Sequence, residues 1–203
     1  MTLDEYRDLA TRLLDPLVRG AVAVGITPNG ISVLAFAVAV AAGVVYWFAD
    51  PGSLLYLLGA VLVFMNGVLD LLDGMVARRT GTDSAAGDLL DHVLDRYADI
   101  VVLVGLAGGT GEFAIGLAAV TGVLMTSYLG TQAQAVGLDR VYGGLVGRAD
   151  RLAIIGVVTA VAAFTTVGYA GLSLVGLLLV FFAVVGHFTA VQRFYYAMRA
   201  LGE

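Results

Sequence analysis

Between Leu152 and Gln192 the chain carries no Asp, Glu, Lys or Arg. These roughly 40 uncharged residues suffice for two bilayer crossings of about 20 residues each, with Gly168 and Gly171 marking a turn between them. A second uncharged run, Ile31 to Ala49, is long enough for one more. Lipid narrows the choice of fold sharply. Without water to satisfy backbone N–H and C=O groups, only helices and closed barrels cross it. Of the 203 residues, 60% are hydrophobic and 13% charged, about half the ~25% charged fraction of a soluble domain. An integral membrane protein is expected and a soluble globular domain is excluded. No cysteine is present, so disulfides and thiolate metal sites are excluded too.

Hydropathy divides the chain into six spans. Residues 2 to 19 place Leu3, Tyr6, Leu9, Leu13 and Leu17 at helical spacing, with Asp4, Arg7, Asp8 and Arg12 on other faces. This reads as an amphipathic helix at the membrane interface. Its acidic start lacks the basic, then apolar, order of a cleaved signal peptide. Thr27 and Pro28 are placed to cap and open the first span. The turn at Asp50-Pro-Gly-Ser leads to a second span from about Leu54 to Arg78-Arg79, and a polar loop precedes a third that begins near Gly87. The fourth covers Phe113 to Gln134, and Gly137 to Arg151 is the longest polar stretch. The expected fold is an all-α integral membrane bundle of six transmembrane helices with an N-terminal interfacial helix. It forms a single domain over 1–203, with 1–26 as juxtamembrane helix and linker and 27–198 as the bundle.

The arginines support this layout. All eleven basic residues are Arg. Arg7, Arg12, Arg19, Arg78, Arg79, Arg140, Arg148, Arg151, Arg193 and Arg199 all fall on one side of a six-span chain, while the opposite turns carry only Asp50 and Glu112. The Arg-rich side is therefore cytoplasmic, with both termini there, in a multi-pass cell-membrane protein. Net charge is −5, and no nucleic-acid partner is expected. The absence of Lys fits either a salt-adapted source or a genome rich in Arg codons.

Against this apolar background stand two groups of carboxylates, Asp70 and Asp73 in the second span and Asp91 and Asp95 in the third. Ionisable groups at membrane depth are costly and mark function. The spacings i,i+3 and i,i+4 put each pair on one helix face. Antiparallel neighbours joined by a short loop bring the two faces together near the cytoplasmic side. Four such carboxylates cannot all stay ionised without a compensating charge. An oxygen-rich cluster of this kind suits Mg²⁺ or Mn²⁺, with spacing for two ions. Gly74, Ala77 and Gly87 keep the wall open, and Arg78 can contact a phosphate.

The whole segment fits D-x2-D-G-x2-A-R-x8-G-x3-D-x3-D, with Asp70, Asp73, Gly74, Ala77, Arg78, Gly87, Asp91 and Asp95 at its fixed positions. It resembles the signature of the CDP-alcohol phosphotransferase family, and the six-span layout extends the likeness over the chain. The resemblance implies that Asp70, Asp73, Asp91 and Asp95 bind two divalent ions, usually Mg²⁺. They would hold the diphosphate of a CDP-linked lipid, with Asp95 as the general base that takes the acceptor's proton and CMP as the leaving group. Asp70, Gly74, Ala77, Arg78 and Gly87 would shape the CDP-lipid site. Thr27-Pro28-Asn29 is similar to the segment opening the family's first span near the nucleotide, which gives Asn29 a place there, although a plain helix start explains it equally. Homodimers are typical of the family.

Arg148-Ala149-Asp150-Arg151 looks like the segment that opens the fifth span in relatives accepting inositol phosphate or glycerol phosphate. Two arginines at i,i+3 can grip a phosphate dianion; otherwise they serve as membrane anchors. In Ser127-Tyr128-Leu129-Gly130-Thr131-Gln132, Gly130 and Gln132 replace the two bases of phosphate-accepting relatives. Inositol phosphate or glycerol phosphate is the acceptor expected, with serine or another free alcohol as the alternative. His92 lies off the Asp91–Asp95 face and is read as a packing or hydrogen-bonding residue. His187 is read as an interhelical donor, and Tyr46, Trp47 and Phe48 as an outer aromatic belt. A UbiA-like prenyltransferase is the distant alternative, but Gly74 fills the position where its motif needs an acid. A cation transporter would not need Gly74, Ala77 and Arg78 beside the acids.

Overall fold

The computed structural model describes residues 7–138 and 146–202, with the side chains of 7–11 excepted; Leu3, Asp4, Tyr6 and Arg140 lie outside the described residues. The elements are α1 (Arg7–Ala23), α2 (Pro28–Trp47), α3 (Leu54–Thr80), α4 (Ala85–Thr110), α5 (Phe113–Ala135), α6 (Arg148–Ala162), β1 (Gly168–Tyr169), β2 (Leu172–Ser173) and α7 (Leu174–Gly202). Local chemistry sets the boundaries. The N–H of Gly30 donates to Thr27 Oγ1 with Pro28 in the first turn of α2, and the N–H groups of Leu55 and Gly87 donate to Ser53 and Ser84 at the starts of α3 and α4. These hydroxyls satisfy donors that have no partner within their helix. Gly81 (φ 63°) and Gly111 (φ 76°) end α3 and α4 in the left-handed region, where a Cβ is strained.

Among the described residues four helices, α2, α3, α5 and α7, are long and apolar enough to cross a membrane. The other two of the expected six differ for visible reasons. The stretch of α4 up to Asp99 carries Asp88, Asp91, Asp95, Arg96 and Asp99, and α6 has only 15 residues. Helix α6, at the expected fifth span, starts at Arg148, earlier than the uncharged run, and stops at Ala162. The expected turn at Gly168–Gly171 is an antiparallel hairpin pairing Gly168 with Ser173. The chain is thus nearly all helical with one two-stranded hairpin, not purely α.

Helix α2 packs against both α3 and α4, α5 against α7, and α6 against α3. Lipid chains are as apolar as Leu, so close backbone approach is what holds such helices together. A Cβ on Gly105 would lie 2.2 Å from the backbone oxygen of Gly43, so α2 and α4 touch backbone to backbone near their C-terminal ends. Tyr46 is fully buried, against the expectation of an aromatic belt. Its ring lies where a Cβ on Gly59 would sit, and its hydroxyl pairs with Thr159 Oγ1 at 2.9 Å. Trp47 and Phe48 are exposed. The outward surfaces of the helices are apolar, as at Phe64, Leu117, Val157 and Val184. Val18 and Ala21 of α1 pack on Leu72 and Val76 of α3, and Asp15 pairs with Arg19 and Arg79. Leu13 and Leu17, from the apolar stripe, point away from the protein.

Candidate active site

The carboxylates converge where α3 ends and α4 begins. Asp70, Asp91 and Asp95 each present an oxygen, and these three atoms lie within 4.8 Å of one another. Asp73 stands apart from this trio. It is buried and accepts a hydrogen bond of 2.6 Å from the hydroxyl of Ser32 on α2. Arg148, the first residue of α6, sets its guanidinium between Asp70 and Asp95, pairing with both, at 2.8 Å for Asp95. So packed an anionic group needs such a cation.

Beside the trio opens a cleft of about 260 Å³ lined by Asn29, Ser32, Asp70, Asp73, Gly74, Ala77, Arg78, Gly87 and Asp91. The motif glycines line it where side chains would intrude. A Cβ on Gly74 would lie 3.2 Å from the Arg78 guanidinium, and one on Gly87 would lie 3.2 Å from Ser84 Oγ and 3.4 Å from Asn29 Oδ1. All the donors are carboxylate oxygens, which suits a hard divalent cation. His92 is exposed and its Nδ1 meets the Asp88 carbonyl at 2.8 Å, away from the trio. The cleft brings together every residue expected at the CDP-lipid site.

The two arginines expected to bind the acceptor part company. Arg148 reaches the carboxylate trio, whereas Arg151 is buried and binds Asp99 through two bonds, of 2.6 and 3.2 Å. Arg96 lies between Asp95 (3.6 Å) and Asp99 (3.7 Å) and donates to Ser127 on α5. Arg193 of α7 donates to the carbonyl of Thr126 at 2.7 Å. An arginine-rich region therefore adjoins the trio on the side of α5, α6 and α7. Sequence reading passed over Ser32, whose i,i+3 spacing from Asn29 is the available signal. His187 Nε2 meets Thr121 Oγ1 at 3.4 Å across α5 and α7, the interhelical contact expected.

A family model described as CDP-alcohol phosphatidyltransferase matches residues 25–191. The chain is 33% identical to the archaetidylinositol phosphate synthase of Methanothermobacter thermautotrophicus, over 98% of this chain and 95% of the relative. It is similar to the crystal structure of Mycobacterium tuberculosis phosphatidylinositol phosphate synthase in complex with manganese and citrate, at 28% identity and TM-score 0.78, over 90% of this chain and 88% of that one. The same enzyme with CDP-DAG bound matches at 27% identity and TM-score 0.74, over 92% of this chain and 94% of that one.

Proposed function

Because the chain belongs to the CDP-alcohol phosphatidyltransferase family, we propose that it is a phospholipid synthase joining a CDP-linked lipid to inositol phosphate. The observation that carries this reading is the carboxylate trio, with Arg148 among it, opening onto a glycine-walled cleft. The acceptor hydroxyl loses its proton to Asp95 and attacks the lipid-side phosphorus in line. The P–O bond to CMP breaks, and CMP leaves with the electron pair. Asp70, Asp73, Asp91 and Asp95 would hold two divalent ions, Mg²⁺ or Mn²⁺, which when bound stabilise charge on the phosphoryl oxygens. Asn29, Gly74, Ala77, Arg78 and Gly87 shape the CDP site, Arg78 by a charge-assisted contact to the diphosphate. Positioning and preorganised charge account for most of the catalysis in a transfer of this type.

Arg148 and Arg151 form the acceptor side. Arg148 is placed to meet the acceptor phosphate beside Asp95, and Arg151 supports that region through Asp99. The inositol phosphate synthase names of the relatives favour inositol phosphate over glycerol phosphate, serine or another free alcohol. All six helices from α2 to α7 cross the membrane, the site faces the cytoplasm, and α1 lies in the interface with Leu13 and Leu17 in lipid. A homodimer is the expected assembly. The deciding experiment measures CMP release by the purified protein with CDP-lipid and Mg²⁺, supplied in turn with inositol phosphate, glycerol phosphate, serine and inositol. Turnover is expected with inositol phosphate; turnover with serine alone overturns the choice of acceptor.

A further inference from the structure

Asp73 is the one motif carboxylate outside the trio, and its environment differs from theirs. Asp70, Asp91 and Asp95 are partly exposed and face one another, whereas Asp73 is buried on the face of α3 that packs against α2. Its partner there is Ser32, itself buried, 41 residues earlier in the chain. The Ser32 hydroxyl has one proton and two acceptors in reach, Asp73 Oδ2 at 2.6 Å and its own helix carbonyl at Pro28 at 3.2 Å. An ionised carboxylate only accepts. The shorter, charge-assisted bond therefore takes the proton, and the contact to Pro28 is secondary.

Two further features make the bond a fixed strut rather than a passing contact. Asn66 on α3 donates from Nδ2 to the carbonyl of Ala35 on α2 at 2.9 Å, two helical turns deeper than Asp73. The pairs Ser32–Asp73 and Ala35–Asn66 thus lock the two antiparallel helices in register at two depths. Ser32 also shares a helix face with Asn29, which lines the same cleft. The torsion that turns an Asp carboxylate is soft and roughly two-fold. A donor on one oxygen confines it and leaves the other for a ligand.

We propose that Ser32 is a positioning residue for the transfer reaction, holding Asp73 by Oδ2 so that its carboxylate enters the metal site already oriented. The bond joins α2, which bears Asn29, to a ligand on α3, and so ties the geometry of the nucleotide wall to that of the metal site. Outer partners that orient metal-binding groups are worth roughly 10- to 100-fold in affinity. The inference rests on the reading above that the motif carboxylates bind a divalent cation.

The test is Mn²⁺ binding to the intact, detergent-purified protein, read by the loss of the free-ion signal in electron paramagnetic resonance. Ser32→Ala is expected to weaken Mn²⁺ about 10-fold, and Ser32→Thr, which keeps the hydroxyl, to restore it. In an Asp73→Asn background Ser32→Ala is expected to cost nothing more, since its partner's charge is gone; a role in packing alone would weaken both backgrounds alike. Wild-type affinity in Ser32→Ala overturns the inference and leaves the metal reading standing, whereas failure of the wild type to bind Mn²⁺ overturns that reading itself. If Ser32→Ala does not fold, Ser32→Thr against Ser32→Val decides, because the two differ only by hydroxyl against methyl. Equal affinity in that pair counts against Ser32.

Discussion

The buried pair of Arg151 and Asp99 allows structural support to be separated from substrate binding. Arg151 is 4% exposed and Asp99 5%, with bonds of 2.6 and 3.2 Å between them. Removing one member of such a pair costs ~3–5 kcal/mol, because the other is left buried and uncompensated, while replacing both with apolar groups is often close to neutral. The two single variants are not equivalent here. In Arg151→Met, Asp99 keeps Arg96 at 3.7 Å, which holds the cost near ~3 kcal/mol. In Asp99→Leu, Arg151 faces Arg96 with its anion gone, which pushes the cost toward ~5 kcal/mol. At roughly 2–4 °C per kcal/mol for a chain of this size, the melting temperature should fall by about 6–12 °C and about 10–20 °C. The double variant should recover most of that loss. Thermal melting of the detergent-solubilised protein measures it, and CMP release with varied inositol phosphate measures the second role. A stable double variant with a raised KM for inositol phosphate makes Arg151 an acceptor residue; an unchanged KM makes it a strut. Strictly additive losses in the double variant would refute the coupling altogether.

Three other outcomes follow from the geometry. Gly105→Ala should destabilise by ~1–3 kcal/mol or more by forcing α2 from α4, whereas Gly156→Ala, whose Cβ would meet nothing nearer than 3.9 Å, should be neutral or gain up to ~1 kcal/mol of helix propensity; equal melting shifts in the two contradict the contact. Asp95→Asn should cut CMP release by ~10²–10⁴-fold, as loss of a general base does, while CDP-lipid still raises the melting temperature; near-normal turnover would move the base elsewhere. Hydrogen bonds from Arg19 and then Arg79 hold the Asp15 carboxyl below its ordinary range. A lowered carboxyl stabilises the folded state above the ordinary value and loses this only as pH falls through the lowered one. Hydrogen exchange in α1, corrected for intrinsic rate, should therefore be flat from about pH 8 to about pH 5, and release of α1 within that range would sink the assignment.

What the sequence reveals is what depends on periodicity. The i,i+4 carboxylates Asp91 and Asp95, the Thr27 cap and the turn near Gly168 are local patterns, and each is where spacing put it, whereas Asp73, i,i+3 from Asp70, meets Ser32 instead of joining the trio. Contacts between helices depend on crossing geometry that no window of sequence contains. Arg148 and Arg151 are equivalent by spacing, yet one reaches Asp70 and Asp95 while the other turns to Asp99. Tyr46 looks like an interface aromatic until Gly59 and Thr159 arrive from other helices to receive it. Ser32 is hidden for a different reason: serines in apolar helices commonly bond their own backbone, and Ser32 also touches Pro28.

The backbone contact of Gly43 with Gly105, extended by Val101 and Gly109, sets the angle between α2 and α4. Fourteen residues separate Gly43 from Asn29, and fourteen separate Gly105 from Asp91, so at 1.5 Å per residue each arm is about 21 Å long. Two backbones in contact resist sliding but still allow rocking. A tilt of about 5° there carries the far end of an arm by roughly 2 Å, over half the length of a hydrogen bond. The width of the cleft is thus sensitive to a small angle set at the far, C-terminal ends of α2 and α4. Even a single methyl group at that distant contact would act on the site through this leverage.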